Sequence, residues 1–210
     1  MGKAKNDLFD LGMAKKRDHK IIITDEAIEK VPLIKYREIS ESVYPLLQDL
    51  AKEVLRLSKE DNDSNEVAIT FSLNYKKLID AGKDYVGIAY GDEHSVDPRL
   101  NVVANHLIRA SYGCVIIVLH NHPSLSKFSL EDVKFFIGNS TIKLMVVVTN
   151  LGGISYLVKK GDGYLEGAAI DLYNESVDLH NEGTRLRDYQ KAVSFFLANC
   201  HKVGIIYDDR

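Results

Sequence analysis

The sequence predicts a mixed α/β domain with helical extensions at both ends, and three observations point there. Short runs rich in β-branched and aromatic residues recur at 67–73, 85–90, 144–149 and 154–158. The almost unbroken apolar run from Cys114 to Leu119 has the composition of a strand covered on both faces of a sheet. Apolar residues at three- and four-residue steps mark helices at 40–59 and again beyond Gly161.

The 210 residues suffice for one domain with appendages, and a hydrophobic fraction of 45% with 27% charged residues excludes a wholly disordered or low-complexity chain. A net charge of -3 offers no global attraction to nucleic acid or to an anionic membrane. The two cysteines, Cys114 and Cys200, have neither metal-ligand spacing nor the number for a disulfide framework, which fits a reducing compartment. No apolar stretch reaches the ~20 residues of a membrane span, and the N-terminus lacks the apolar centre of a secretory signal, so no cleaved Sec signal is expected.

Taken in order, residues 1–20 carry Lys3, Lys5, Lys15, Lys16, Arg17 and Lys20 around an isolated Leu8, Phe9, Leu11 patch, and are expected to be a mobile basic arm. Residues 21–64 form an N-terminal helical extension. Within it Val43, Leu46, Leu47, Leu50, Val54 and Leu57 share one helix face, and Pro45 is tolerable only in the first turn. The polar stretch 61–65 breaks this helix and opens the main domain, 65–160.

Two strands then flank a connection, and a helix is expected over 98–112, with Pro98 in its first turn and Gly113 ending it. The apolar strand follows, ending at His120. A helix over 129–136, a buried strand over 144–149, a turn at Asn150, Leu151, Gly152, Gly153 and a strand over 154–158 complete the domain. Residues 161–210 read as a C-terminal pair of helices, 166–180 and 184–201, parted by Gly183 and followed by a short Ile205, Ile206, Tyr207 end. Tyr189, Phe195, Phe196 and Leu197 form an apolar stripe expected to pack in the core; the pair can equally form a homodimer contact or dock a partner.

The chemistry concentrates in HNHPSLSKFSLED, residues 120–132. Side chains two apart on a strand point the same way, so His120 and His122 face one spot at the strand's end. Pro123 bars a simple continuation of the strand, and the chain returns in a helix that brings Asp132 back over the histidines. Two neutral imidazoles and a carboxylate suit Zn²⁺ and leave a fourth position for water, whose pKa the metal lowers to about 7. Ser129 and Asp132, three apart, share a helix face. The same residues also make an ordinary helix start, with Ser129 as N-cap and an acid in the first turn, and the two readings are compatible. An H-x-H pair alone can equally be a polar strand end.

The set of His120, His122, Pro123, Ser129 and Asp132 resembles the metal-binding motif of the JAB/MPN (JAMM) metalloproteases, most closely the bacterial branch with the RadC-like proteins. The resemblance covers about residues 65–160 and implies a three-layer α/β/α, cytidine-deaminase-like core with a mixed sheet. The six-residue loop between His122 and Ser129 is one shorter than the family's commonest form, so loop contacts are expected to differ. The resemblance implies Zn²⁺ held by His120, His122 and Asp132, with Ser129 helping to stabilise the tetrahedral oxyanion and Asn121 and Pro123 shaping the turn.

An upstream glutamate is implied as well, moving a proton from the zinc water to the leaving amine. Glu66 matches by its place ahead of two strands and a helix, with Glu93 and Asp92 as fallbacks and Glu131 expected to face solvent. Without the resemblance, a glutamate at a strand entrance reads as solvated. The implied activity is hydrolysis of a peptide or isopeptide bond in a protein or peptide substrate, ubiquitin-like proteins included. Cytoplasm is the default location, with export by a non-Sec route as the alternative.

Rival readings fit less well. A PHP-type phosphoesterase also has a strand ending in H-x-H, and Asp178 with His180 mimics its later motif, but that barrel needs the pair near its start. HNH nucleases disperse their residues through a ββα unit, and zinc deaminases need a cysteine pair. His94 and His106 lie outside the motif. The strongest rival from another class is a JAB-fold interaction module, or a DNA-associated RadC-like protein without peptidase activity. No basic, aromatic-rich face supports the DNA role.

Overall fold

The computed structural model describes residues 20–180 and 186–210. Among them, in chain order, are α1 (Asp25–Glu29), α2 (Tyr44–Asp61), β1 (Val67–Ser72), α3 (Tyr75–Asp80), β2 (Val86–Tyr90), α4 (Val102–Ala110) and β3 (Ile116–His122). Next come α5 (Leu130–Ile137), β4 (Ile142–Thr149), β5 (Ile154–Lys159), α6 (Glu166–His180), α7 (Leu186–Asn199) and β6 (Ile205–Asp209). The expected arm lies outside the described residues except for Lys20, and so do Gly183 and the expected helix start at Thr184.

The six strands form one mixed sheet in the order β2-β1-β3-β4-β5-β6. Only β3 and β4 run parallel, joined through α5; every other neighbouring pair is antiparallel. All seven residues of β3 are buried, as its apolar composition demands of a strand with a neighbour on each edge and a layer on each face.

Alternation along β3 sorts its side chains between two cores. Ile117 and Leu119 join Ile69, Phe71, Val146 and Tyr156 beneath α1, α2 and the segment between them, whereas Ile116 and Val118 join Val147 and Leu157 beneath α4 to α7. By the same period of two, His120 and His122 fall on the α5 side and Asn121 on the α2 side. Leu47, Ala51, Val54 and Leu55 of α2 are fully buried against the sheet, so residues 20–64 share the sheet's core. Burying each of the larger side chains contributes roughly 1.5–3 kcal/mol. Pro45 sits in the first turn of α2, where a missing N–H costs nothing.

Three local outcomes depart from the sequence expectation or add to it. The helix expected from Pro98 starts at Val102, because Asp97 caps a separate 3-10 turn, Pro98–Leu100, and Asn101 is extended and caps α4 by accepting from the Ala104 N–H. The apolar strand carries both histidines and ends ahead of Pro123, as expected. The connection between β1 and β2 contains α3. The short C-terminal end is a full strand, β6, paired with β5.

In the apolar stripe, Phe196 is buried while Tyr189 is exposed. Lys159 is buried under α5. Its Nζ donates to the Asn139 carbonyl at 2.7 Å and lies 4.8 Å from the ring centres of Phe136 and Tyr164; burial pulls the ammonium down to about 8. No helix among the described residues is long and apolar enough to cross a membrane.

Candidate metal centre

His120 and His122 project from the C-terminal end of β3 with their Nε2 atoms 3.0 Å apart. The chain leaves the strand at Pro123, loops through Ser126 and enters α5 behind Ser129. Asp132 is the third residue of α5 and faces back: its Oδ1 lies 3.1 Å from His120 Nε2 and its Oδ2 3.3 Å from His122 Nε2. Each residue offers one ligand atom, these atoms lie within 4.8 Å of one another, and the group can hold a metal ion.

Local chemistry fixes two members of this group, Asp132 and His122. Ser129 and Asp132 form a capping box, in which Ser129 Oγ accepts from the Asp132 N–H at 3.1 Å and the Ser129 N–H donates to Asp132 Oδ2 at 2.7 Å. The hydroxyl also donates to Oδ2 at 2.6 Å. Ser129 therefore spends its hydroxyl on aiming the carboxylate, at a helix N-terminus that itself favours negative charge. His122 Nδ1 lies 3.1 Å from the Ser126 carbonyl. Donation there puts the ring proton on Nδ1 and turns the Nε2 lone pair toward the group's centre.

Burial and charge oppose each other at this group. Burial works against charge on His122, but the hydrogen bond and charge of Asp132, with Glu66 beyond, push it up to about 9. Burial likewise opposes ionisation of Asp132, yet the two imidazoles hold it well below the usual carboxylate range.

Glu66 lies across from this group. Ala68 pairs with His120 in the antiparallel β1/β3 register, so Glu66, two residues earlier, comes level with His122 on the same face. It is only 6% exposed. Burial pushes its carboxyl up, against the pull of His122 and His120, while Asp132 and Asp92 push it further. Its backbone is fixed by Glu66 N–H to the Asp92 carbonyl at 2.9 Å, and by Gly91 N–H and Asn62 Nδ2 donating to its own carbonyl at 2.8 and 2.9 Å.

Just before it, Asp63 and Ser64 hold left-handed backbone angles, φ 49 and 59, unusual for residues other than glycine. Lys20 on the Asp63 carbonyl and side chain, and the Ser64 N–H on the Ser58 carbonyl, secure that bend.

The other sequence candidates are placed elsewhere. Asp92 is exposed and accepts from the His94 and Ser95 N–H groups, which hold its carboxyl below the usual range. Glu93 and Glu131 are exposed. His94 and His106 are exposed too, and His180 bonds the Ser176 carbonyl within α6. Pro123 ends the strand, and its carbonyl accepts from the Ile21 N–H at 2.7 Å. Asn121 does not shape the turn; it points to the other face of β3, into a buried polar network.

That network was missed from sequence. Asn121 donates to Asn150 Oδ1, and Asn150 Nδ2 donates to the carbonyls of Ile21 and Ser64. Asn150 read only as a turn residue, and Ser126 acts through its carbonyl, which carries no side-chain signal. No family model matches the chain, and no curated protein or solved structure matches it either.

Proposed function

We propose that this protein is a zinc-dependent metallopeptidase that hydrolyses a peptide or isopeptide bond, working as the JAB/MPN (JAMM) family that its motif resembles. One observation carries the reading: His120, His122 and Asp132 converge on a single point with the buried carboxyl of Glu66 across from it. Two imidazoles and a carboxylate form a borderline-soft donor set suited to zinc, and three protein ligands leave a coordination position for water or substrate. When bound there, zinc supplies Lewis-acid polarisation of a carbonyl and acidifies a water.

The remaining work falls to the chain's own residues. Glu66, raised by burial, takes a proton in the site and delivers it to the leaving amine, a task suited to a carboxyl shifted toward neutral pH. Ser129 orients Asp132 through its hydroxyl, and the Ser126 carbonyl holds the His122 tautomer. The substrate class is a protein or peptide, bound where the carboxyl ends of β3 and β4 meet the loop into α5.

Zinc-loaded protein incubated with internally quenched peptides and lysine isopeptides is expected to hydrolyse some of them. Glu66→Ala is expected to keep its zinc and lose activity by roughly 10²-fold or more. Full activity in Glu66→Ala would overturn the assignment.

A further inference from the structure

Asn121 stands between the two histidines in sequence but turns away from them, and it is fully buried on the α2 side of β3. Its Oδ1 accepts from the Val67 N–H at 2.7 Å, and its Nδ2 reaches the Asn65 carbonyl at 3.1 Å. These two groups belong to the peptide units immediately after and immediately before Glu66. Nδ2 also reaches Ser58 Oγ at 3.1 Å and Asn150 Oδ1 at 2.8 Å, and Ser58 Oγ itself donates to the Asn65 carbonyl. Asn150 fixes which way the amide of Asn121 faces, because its own Nδ2 is committed to the Ile21 and Ser64 carbonyls.

The backbone pairing of β1 with β3 runs from Ser72 only as far as Ala68 opposite His120. Toward β2, Glu66 keeps main-chain bonds to Gly91 and Asp92. Toward β3, the link at Val67 comes from the Asn121 side chain. We propose that Asn121 is a positioning residue, whose clasp on both peptide units flanking Glu66 sets that carboxyl against the imidazoles carried by its own strand. This rests on the reading of Glu66 as the proton carrier. Ligand spacing and base position thereby become properties of one three-residue piece of backbone, His120 to His122. Catalytic geometry needs such coupling, since a misplacement of about 1 Å can cost about 10²-fold in rate.

The test is Asn121→Ala in the full chain, labelled with carboxyl-¹³C glutamate, the Glu66 resonance being assigned with Glu66→Gln. The variant is expected to bind zinc as the wild type does. The Glu66 titration midpoint is expected to move down toward the ordinary glutamate value as the carboxyl gains water. Turnover of the quenched-peptide substrates should fall by about tenfold or more in kcat with KM held, and by no further factor when Asn121→Ala is added to Glu66→Ala.

An unchanged Glu66 midpoint in folded Asn121→Ala overturns the proposal. If that variant does not fold, Asn150→Ala, which removes the partner that orients the amide together with the donor to the Ile21 and Ser64 carbonyls, is expected to shift the midpoint the same way by less, and no shift there is equally decisive. The midpoint is readable with or without metal, so a wild type that takes up no zinc counts against the metallopeptidase reading and leaves the role of Asn121 to be judged by the titration.

Discussion

At position 66 a carboxyl group is held where little water reaches it, and burial raises it above the ordinary glutamate value of 4.5. Between that value and its raised one, the folded chain binds more proton than the unfolded chain. Stability at this position is therefore present at low pH, is lost as pH rises through that window, and stays lost above it. Glu66→Gln keeps the shape without the charge, so the metal-free variant is expected to be more stable than wild type at pH 7 and no more stable near pH 4. Urea unfolding at the two pH values checks this, and equal stability at pH 7 would contradict it.

Ser129 offers a second test at the scale of one side chain. Its hydroxyl both caps α5 and holds Asp132, so Ser129→Ala is expected to cost about 1 kcal/mol of stability. It should also weaken zinc binding by about 10-fold or more, read by competition with a chelator. A stability loss with unchanged zinc affinity would confine Ser129 to the cap.

Among elements, β3 and α5 were the most legible. An apolar run ending in H-x-H, a proline, and a helix start three residues before an acid are local signals, and they sufficed to bring His120, His122 and Asp132 together. Glu66 was harder to read, because its burial depends on the bend at Asp63 and Ser64 and on the antiparallel β1/β3 register, both set by distant residues. Asn150 was invisible for the same reason, since its hydrogen bonds go to distant segments, whereas Ser126 acts on nearby His122 through its backbone carbonyl, which no side chain announces.

The helix expected from Pro98 failed where two caps compete, Asp97 for a 3-10 turn and Asn101 for α4. The turn between β4 and β5 was read correctly, and it also carries a tight contact. Gly152 has φ 87, and a Cβ there would sit 2.5 Å from the Ala27 carbonyl of α1. Gly152→Ala is expected to cost about 1–3 kcal/mol, measured by urea unfolding. A loss within a few tenths of a kcal/mol would show that α1 yields easily.

Across the whole molecule, the sheet separates two cores, and the candidate centre draws on three separated stretches of chain. Glu66 precedes β1, the histidines end β3, and Asp132 opens α5. Residues 20–23 brace the centre from behind through Asp63, Pro123, Asn150 and Ser64. An unfolded chain cannot hold these side chains together, so a metal bound at the proposed site would be linked to folding. If zinc occupies that site, a free concentration about 100 times Kd is expected to stabilise the fold by about 2.7 kcal/mol, read as a shift in urea unfolding.

The proposed zinc site of His120, His122 and Asp132 is read out by elemental mass spectrometry of untagged protein beside His122→Ala. About one zinc per wild-type chain and none in the variant is the predicted result. A wild type that holds no zinc even after incubation with the metal, or a His122→Ala variant that holds as much as the wild type, would contradict it.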